Sequence, residues 1–372
     1  MNRAGAIALV LAMTASLAAL VLLPWPIAPV LLLLALVAAP AILPATLAAG
    51  AITFPLDILL FAAVVPAGSV IHVGPIVFGS DGALLGAQAA FRLVTVTAVA
   101  LAWLHAVPVP RLVAALRLPP RVAGTFGALL LAAHALREDW ANLVLARRAG
   151  GTWPRGAARI AATASLVPAL LASSLRRAAV RRDALRLAGH DVGPAFVPLV
   201  AFAALALAGR LLFLALPNIA LTYLVVFLAG LLAGPRIGAA VGAVSMLVSD
   251  LLLTGLLVSP FVNIPAMALL GALGGLLRGL DWTSATPIER AANRGVAALV
   301  GLVATLLFSL ASDLGSWLIV PEFRATPGTL APLLAAGLAF NIVPAVVNAV
   351  LFAAAVPATM RSWRRWAPAL LA

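Results

Sequence analysis

The sequence predicts an all-α integral membrane protein of about ten transmembrane helices, with two long cytoplasmic helices between the fourth and the fifth. Three observations predict it. Apolar residues make up 64% of the chain and charged residues only 9%, against about 25% charged in a soluble domain. The apolar residues fall into long runs, and a spanning helix needs about 20 of them in a row. The basic residues are gathered into a few stretches, which by the positive-inside rule mark the cytoplasmic side.

The first four runs cover residues 5–23, 28–49, 52–67 and 85–106. Met1-Asn2-Arg3 and the run behind it have the outline of a signal peptide. However, the run leads through Pro24-Trp25-Pro26 into a second one with no small-residue cleavage site, so it reads as the first span. From Arg111 to Arg186 the chain carries more than half of its Arg against only Glu138, Asp139 and Asp183, which makes this region cytoplasmic. Six further runs follow, at 196–215, 219–234, 237–257, 262–279, 296–319 and 331–357.

An even count of spans keeps the charges on one side. With Arg3 inside, four crossings return the chain to the cytoplasm before Arg111. Six more put Arg236, then Arg278, Arg290 and Arg294, then Arg361, Arg364 and Arg365 inside, so both termini are expected in the cytoplasm.

Within the Arg-rich region, Phe126, Leu129, Leu130, Ala133, Leu136, Trp140 and Leu143 recur at helical spacing. Ile160–Leu175 is uncharged, but it is short, holds Pro168 and is flanked by Arg on both sides. It reads as a helix at or below the inner membrane surface. Both Arg-rich helices end in Gly, at Gly150-Gly151 and at Gly189, where helix ends favour it.

Absences narrow the chemistry. The chain has no Cys, and all 24 of its basic residues are Arg. A Walker A loop needs its Lys to reach phosphates, so any ATP hydrolysis belongs to another chain. His72, His105, His134 and His190 share no metal-ligand spacing, and no cofactor or metal is expected. The basicity fits the positive-inside pattern, with membrane lipid and not nucleic acid as the partner.

At this point the quoted stretches resemble a family. Residues 1–192 are similar to the T component, the transmembrane coupling subunit, of energy-coupling factor (ECF) vitamin transporters. The likeness runs through Gly74-Pro-Ile-Val-Phe-Gly-Ser-Asp-Gly82, Arg92-Leu-Val-Thr-Val-Thr97, Leu116-Arg-Leu-Pro-Pro-Arg121, Ala146-Arg-Arg-Ala-Gly-Gly151, Ser174-Leu-Arg-Arg-Ala-Ala179 and Ala184-Leu-Arg-Leu-Ala-Gly-His190. Residues 193–372 resemble the six-helix S component, which binds substrate, through Ala208-Gly-Arg-Leu-Leu-Phe213, Pro217-Asn218, Ala229-Gly-Leu-Leu-Ala-Gly-Pro-Arg-Ile-Gly238, Gly242-Ala-Val-Ser245, Ser249-Asp250, Ser259-Pro-Phe261 and Gly271 to Gly275.

The resemblance implies a T–S fusion in a bacterial cell membrane, working as an ABC-type importer with two cytoplasmic ATPase subunits. It implies transport and not catalysis, of a vitamin-like solute, and the S half looks most like the cobalamin or unassigned group. In the family, two cytoplasmic helices end in Ala-x-x-x-Arg-Gly-like motifs that dock on the ATPases. Ala146 and Ala184 take the Ala position, and Gly151 and Gly189 the Gly position. Gly150 and Ala188 stand where the family has Arg, with Arg147, Arg148 and Arg186 nearby. A T component also has a last spanning helix after the second motif; here it is lost or merged with the first S-component helix. Ala204 and Ala208 on that helix are expected to pack the S half on the T half.

A charge inside a span costs several kcal/mol unless it is paired or faces a cavity. Under the topology above, Arg210, Asp250, Asp313 and Asn341 fall in the outer halves of their helices, and Asn218, Asn263 and Trp317 near the outer ends. These seven are the expected substrate-binding residues, with a buried Arg210–Asp ion pair as the structural alternative. Asn348 lies deeper, as an interhelical hydrogen bond. Two other functions remain open from the residues alone: a membrane-embedded enzyme acting on lipids, and a membrane scaffold with no ligand.

Overall fold

The computed structural model describes residues 27–64, 68–73, 76–106, 120–154, 158–189, 192–212, 221–253, 259–283, 286–319 and 327–371, besides the single positions 12 and 15. The described chain is almost entirely helical. Its elements are α1 (Ile27–Ala38), α2 (Leu43–Val64), a hairpin of β1 (Val70–Val73) and β2 (Ile76–Gly79), α3 (Ser80–Ala106), α4 (Pro120–Ala149), α5 (Ala158–Ala164) and α6 (Val167–Leu187). They continue as α7 (Phe196–Leu212), α8 (Leu221–Ala233), α9 (Pro235–Leu253), α10 (Ser259–Leu276), α11 (Pro287–Ile319) and α12 (Pro327–Leu371).

Among the described residues four helices are long and apolar enough to cross a membrane: α3, α10, α11 and α12. The expected run at 5–23 lies outside the described residues apart from those two positions. The apolar helices at Ala28–Ala38, Phe196–Arg210 and Leu221–Ala233 are shorter. At 1.5 Å per residue the 13 residues of α8 reach about 20 Å, less than the ~30 Å hydrocarbon core.

Three expectations are corrected. The first concerns the runs 28–49 and 52–67. The chain breaks at Ala39–Ile42, not near Gly50, because Pro40 opens a short 3-10 turn there. α2 then runs through Gly50, whose bare face meets the Phe54 ring and Val94 of α3. The second concerns 160–175, which is not one helix. It breaks at Ser165–Leu166, and Pro168 falls in the first turn of α6, where a missing N–H costs least. The third is the hairpin in a chain expected to be all-α. Val70 pairs with Gly79 and Val73 with Ile76 in antiparallel register.

Two cores organise the helices. A small one holds α1 against α3 through Ala28, Ala35, Ala98 and Ala102. The main one is continuous from α4 and α6 through α7 and α8 to α12. The expected stripe on α4 is its buried face, with Leu129, Ala133 and Leu136 enclosed and Trp140 and Leu143 packed beside them. α8 is wrapped by α7, α9, α10 and α12, and Leu221 to Leu232 are all buried.

Small residues let α8, α9 and α10 meet at backbone distance. A Cβ built on Gly230, Gly238 or Gly271 would overlap main-chain atoms of the facing helix. In lipid, where no apolar driving force separates helix from solvent, such close van der Waals contact holds helices together. Gly234, the lone residue between α8 and α9, has φ 98°. That left-handed conformation suits Gly and reverses the chain at once, with Pro235 starting the next helix.

Candidate functional site

Six of the seven expected polar residues lie in the described part of the α7–α12 bundle, in two groups. The first is a chain of contacts across four helices. Arg210 near the end of α7 donates from Nη1 to Asp250 Oδ1 of α9 at 2.9 Å. The same nitrogen lies 3.1 Å from the Met246 sulfur one turn earlier. Asn263 on α10 donates from Nδ2 to the other carboxylate oxygen of Asp250 at 3.5 Å. Ser312 on α11 in turn donates to Asn263 Oδ1 at 3.1 Å. Asp250 is fully enclosed while the Arg210 side chain keeps 22% of its surface. The pair is neutral as a unit, which is what makes a buried carboxylate tolerable in lipid. Arg210 is the partner of this pair that keeps some exposed side-chain surface.

The second group sits between α11 and α12. Asp313 turns away from its neighbour Ser312 and lies against Gly337, where a Cβ would collide with its carboxylate. Asn341 is buried and donates from Nδ2 to the Gly337 carbonyl at 2.7 Å, within its own helix. Trp317 is half-buried one turn beyond Asp313. Deeper in the same interface Asn348 donates to the Thr305 hydroxyl at 2.9 Å, the expected interhelical bond. Asn218 lies outside the described residues.

Two residues joined to this region were not singled out from the sequence. Met246 and Ser312 are ordinary in membrane helices, and only their contacts mark them. The available signal was spacing: Ser312 neighbours Asp313, and Met246 precedes Asp250 by one turn. Among the described residues no three His, Cys, Asp or Glu side chains converge.

The other functional candidates are the ends of α4 and α6. In α4 the N–H of Gly151 bonds the Arg148 carbonyl at 3.0 Å, and the N–H of Thr152 bonds the Arg147 carbonyl at 2.9 Å. With Gly151 at φ 65°, this is a complete Schellman stop. In α6 the N–H of Gly189, at φ 80°, bonds the Arg186 carbonyl at 2.9 Å. Both stops spend main-chain groups on closing the helix and leave the Arg side chains outside. Ala146, Arg148, Ala184 and Arg186 are exposed and Arg147 is half-exposed. Arg186 also reaches the Val192 carbonyl at 3.4 Å.

The two helices cross antiparallel. Asp139 of α4 receives Arg177 of α6 at 2.9 Å and the Ser173 hydroxyl at 2.6 Å. Gly124, near the start of α4, faces Leu185, near the end of α6. The Arg-bearing ends therefore lie at opposite ends of the pair, on the order of 35 Å apart at 1.5 Å per residue.

α7 lies between these helices and the rest of the bundle, in contact with α4, α6, α8 and α9. Ala204 and Ala208 are buried on it, at 0% and 1% exposure. Ser174 of α6 donates to the Ala201 carbonyl at 2.7 Å and Thr222 of α8 to the Ala206 carbonyl at 2.8 Å. Hydroxyls from both sides thus tie into one helix.

A further set of contacts closes the end of the bundle opposite the polar chain. Trp282 packs edge-on against Phe227 and donates to the Leu277 carbonyl at 3.1 Å. Asp281 accepts from the Thr283 N–H at 3.0 Å and faces Arg364 of α12 at 3.4 Å. The Thr283 N–H, then its hydroxyl, hold the Asp281 carboxyl below the usual range, with Arg364 adding to the effect. Arg278 approaches Gly234 at this end too. Arg278 and Arg364, from separate parts of the chain, thus lie at the same end of the bundle.

No family model matches the chain, and no curated protein and no solved structure matches it either.

Proposed function

We propose that the chain is the membrane subunit of an ATP-driven importer of the energy-coupling factor type, built as a T-component-like half (1–192) fused to an S-component-like half (193–372). Ten crossings with both termini in the cytoplasm complete the reading. The polar chain of Arg210, Asp250 and Asn263, flanked by Asp313, Trp317 and Asn341, captures a vitamin-like solute from outside. Two separate ATPase subunits dock on the ends of α4 and α6 and drive its release inside.

One observation carries this reading: the bundle is polar at two places of opposite kind. One is an enclosed network of Arg210, Asp250 and Asn263 in apolar surroundings, in which Asp250 and Asn263 are buried and the Arg210 side chain keeps some exposed surface. The other is a pair of exposed Arg-bearing helix ends, held well apart by an antiparallel crossing. Two separated ends offer a docking point to each of two ATPases, and Arg suits pairing with carboxylates in a partner's groove. The guanidinium edge not used by Asp250 suits a solute carboxylate or amide, with Trp317 as an apolar wall. α7 serves as the merged last helix of one half and first helix of the other.

The test is association. Purified from its native membrane, the full chain should bring two ATPase subunits with it and hydrolyse no ATP without them. Reversing Arg147 and Arg148 together, or Arg186, to Glu should release the ATPases and leave solute binding intact. Transport undiminished in both variants would show that the coupling ends lie elsewhere.

A further inference from the structure

We propose that Asp313 and Ser309 of α11, with the facing part of α12 around Gly337, form a binding site for a monovalent inorganic cation inside the bundle. The starting point is a cost. A carboxylate within a span needs a counter-charge, a hydrogen-bond donor or water. Arg210 is already committed to Asp250 at 2.9 Å. Among the described residues Asp313 has neither a hydrogen bond nor an ion pair, although it is half-buried. Its carboxylate occupies the space that a side chain at Gly337 would fill.

A second, independent group has the same deficit. Ser309 lies one helical turn before Asp313, on the same face of α11. It is 5% exposed, and its hydroxyl has no hydrogen-bond partner. A hydroxyl in a helix ordinarily turns back to the carbonyl four residues earlier. Thr305 does so, to Gly301 at 2.7 Å. Ser309 does not. Across the interface, Pro344 of α12 has no N–H, so the carbonyl of residue 340 loses its helical donor. One carboxylate and one hydroxyl thus lie a turn apart on α11, and one carbonyl without its helical donor lies on α12 three residues past Gly337, which faces Asp313.

The donor set selects the ligand. All three donors are hard oxygens, which suit alkali and alkaline-earth ions and not the thiolate- or imidazole-seeking metals. With a single carboxylate, a monovalent ion leaves the site neutral. A divalent ion would leave a net positive charge in a low-dielectric interior. Sodium and potassium therefore fit, and calcium and magnesium do not. The site adjoins the proposed solute network because Asp313 follows Ser312 in the chain, but it does not depend on that reading, because ion binding is measured on the chain alone.

The experiment uses the full-length chain in detergent, without solute. Thermal unfolding is followed in sodium, potassium and choline chloride at equal ionic strength, and equilibrium binding is measured with radioactive sodium and rubidium. An alkali ion should raise the unfolding temperature saturably, where choline does not, and about one ion should bind per chain. Ser309→Ala should move that rise to higher salt, and Asp313→Asn should abolish it. If Asp313→Asn does not fold, direct ion binding by wild type and Ser309→Ala decides. Equal stability in all three salts with no bound ion overturns the proposal. So does an alkali response undiminished in Asp313→Asn or in Ser309→Ala.

Discussion

Arg210 and Asp250 share a contact whose removal is asymmetric. With the Asp250 side chain fully enclosed, Asp250→Asn leaves a guanidinium uncompensated in low dielectric, a loss of about 3–5 kcal/mol. Asp313→Asn removes a carboxylate that has no internal partner, so in choline it should leave stability unchanged or raise it. Thermal unfolding of the two variants in that salt should therefore separate them. Equal destabilisation by both would mean that Asp313 is held by a partner of its own. Charged and amide residues in apolar runs are conspicuous, which is why Arg210, Asp250, Asn263 and Asp313 were readable from the sequence alone. Which Asp would pair was not readable, because the choice depends on how α7, α9 and α11 rotate against each other. Ser309 and Ser312 gave no warning, since a hydroxyl in a membrane helix usually satisfies itself.

The helices themselves were read well where one composition persists over many residues. The runs at 196–215, 219–234, 237–257 and 262–279 correspond to α7, α8, α9 and α10. Their limits were set by Pro and Gly in roles that local sequence reveals, as at Gly234-Pro235. The first half of the chain was read less well, because Pro40 and Gly50 are both plausible breaks. Only packing tells that Gly50 is a contact surface and Pro40 the break. α11 starts at Pro287 and α12 continues past Arg364, so helical segments extend beyond their apolar runs through Arg-bearing turns. Composition marks the end of the apolar run, not the helix end. The glycine contacts of α8, α9 and α10 invite a direct test. Gly271→Val would drive a side chain into the backbone of α9 and should cost about 3 kcal/mol or more. Gly279→Val meets open space and should cost far less. Comparable losses at both positions, measured by thermal unfolding, would contradict the close approach.

For the molecule as a whole, the arginines form the coarsest and most informative pattern. Reporter fusions at Ala372 and beside Gly79 should give signals from opposite sides of the membrane; signals from the same side would refute the ten-span map. The sequence suggested two halves with a boundary near residue 193, and composition does change there. It could not reveal that α7, just past that boundary, is embedded on one side in α4 and α6 and on the other in α8 and α9. That shared helix bears on how such a chain can evolve. In a system of separate subunits, a receptor can be replaced by another that presents a similar outer wall. Here the wall is internal: Ser174 and Thr222 reach the same α7 backbone from either side. A recombinant that joined residues 1–192 to a foreign second half would lose the buried filling of its own first half. The two halves must therefore be inherited and tuned as a single unit, and whatever either half does can change only by point substitution within it.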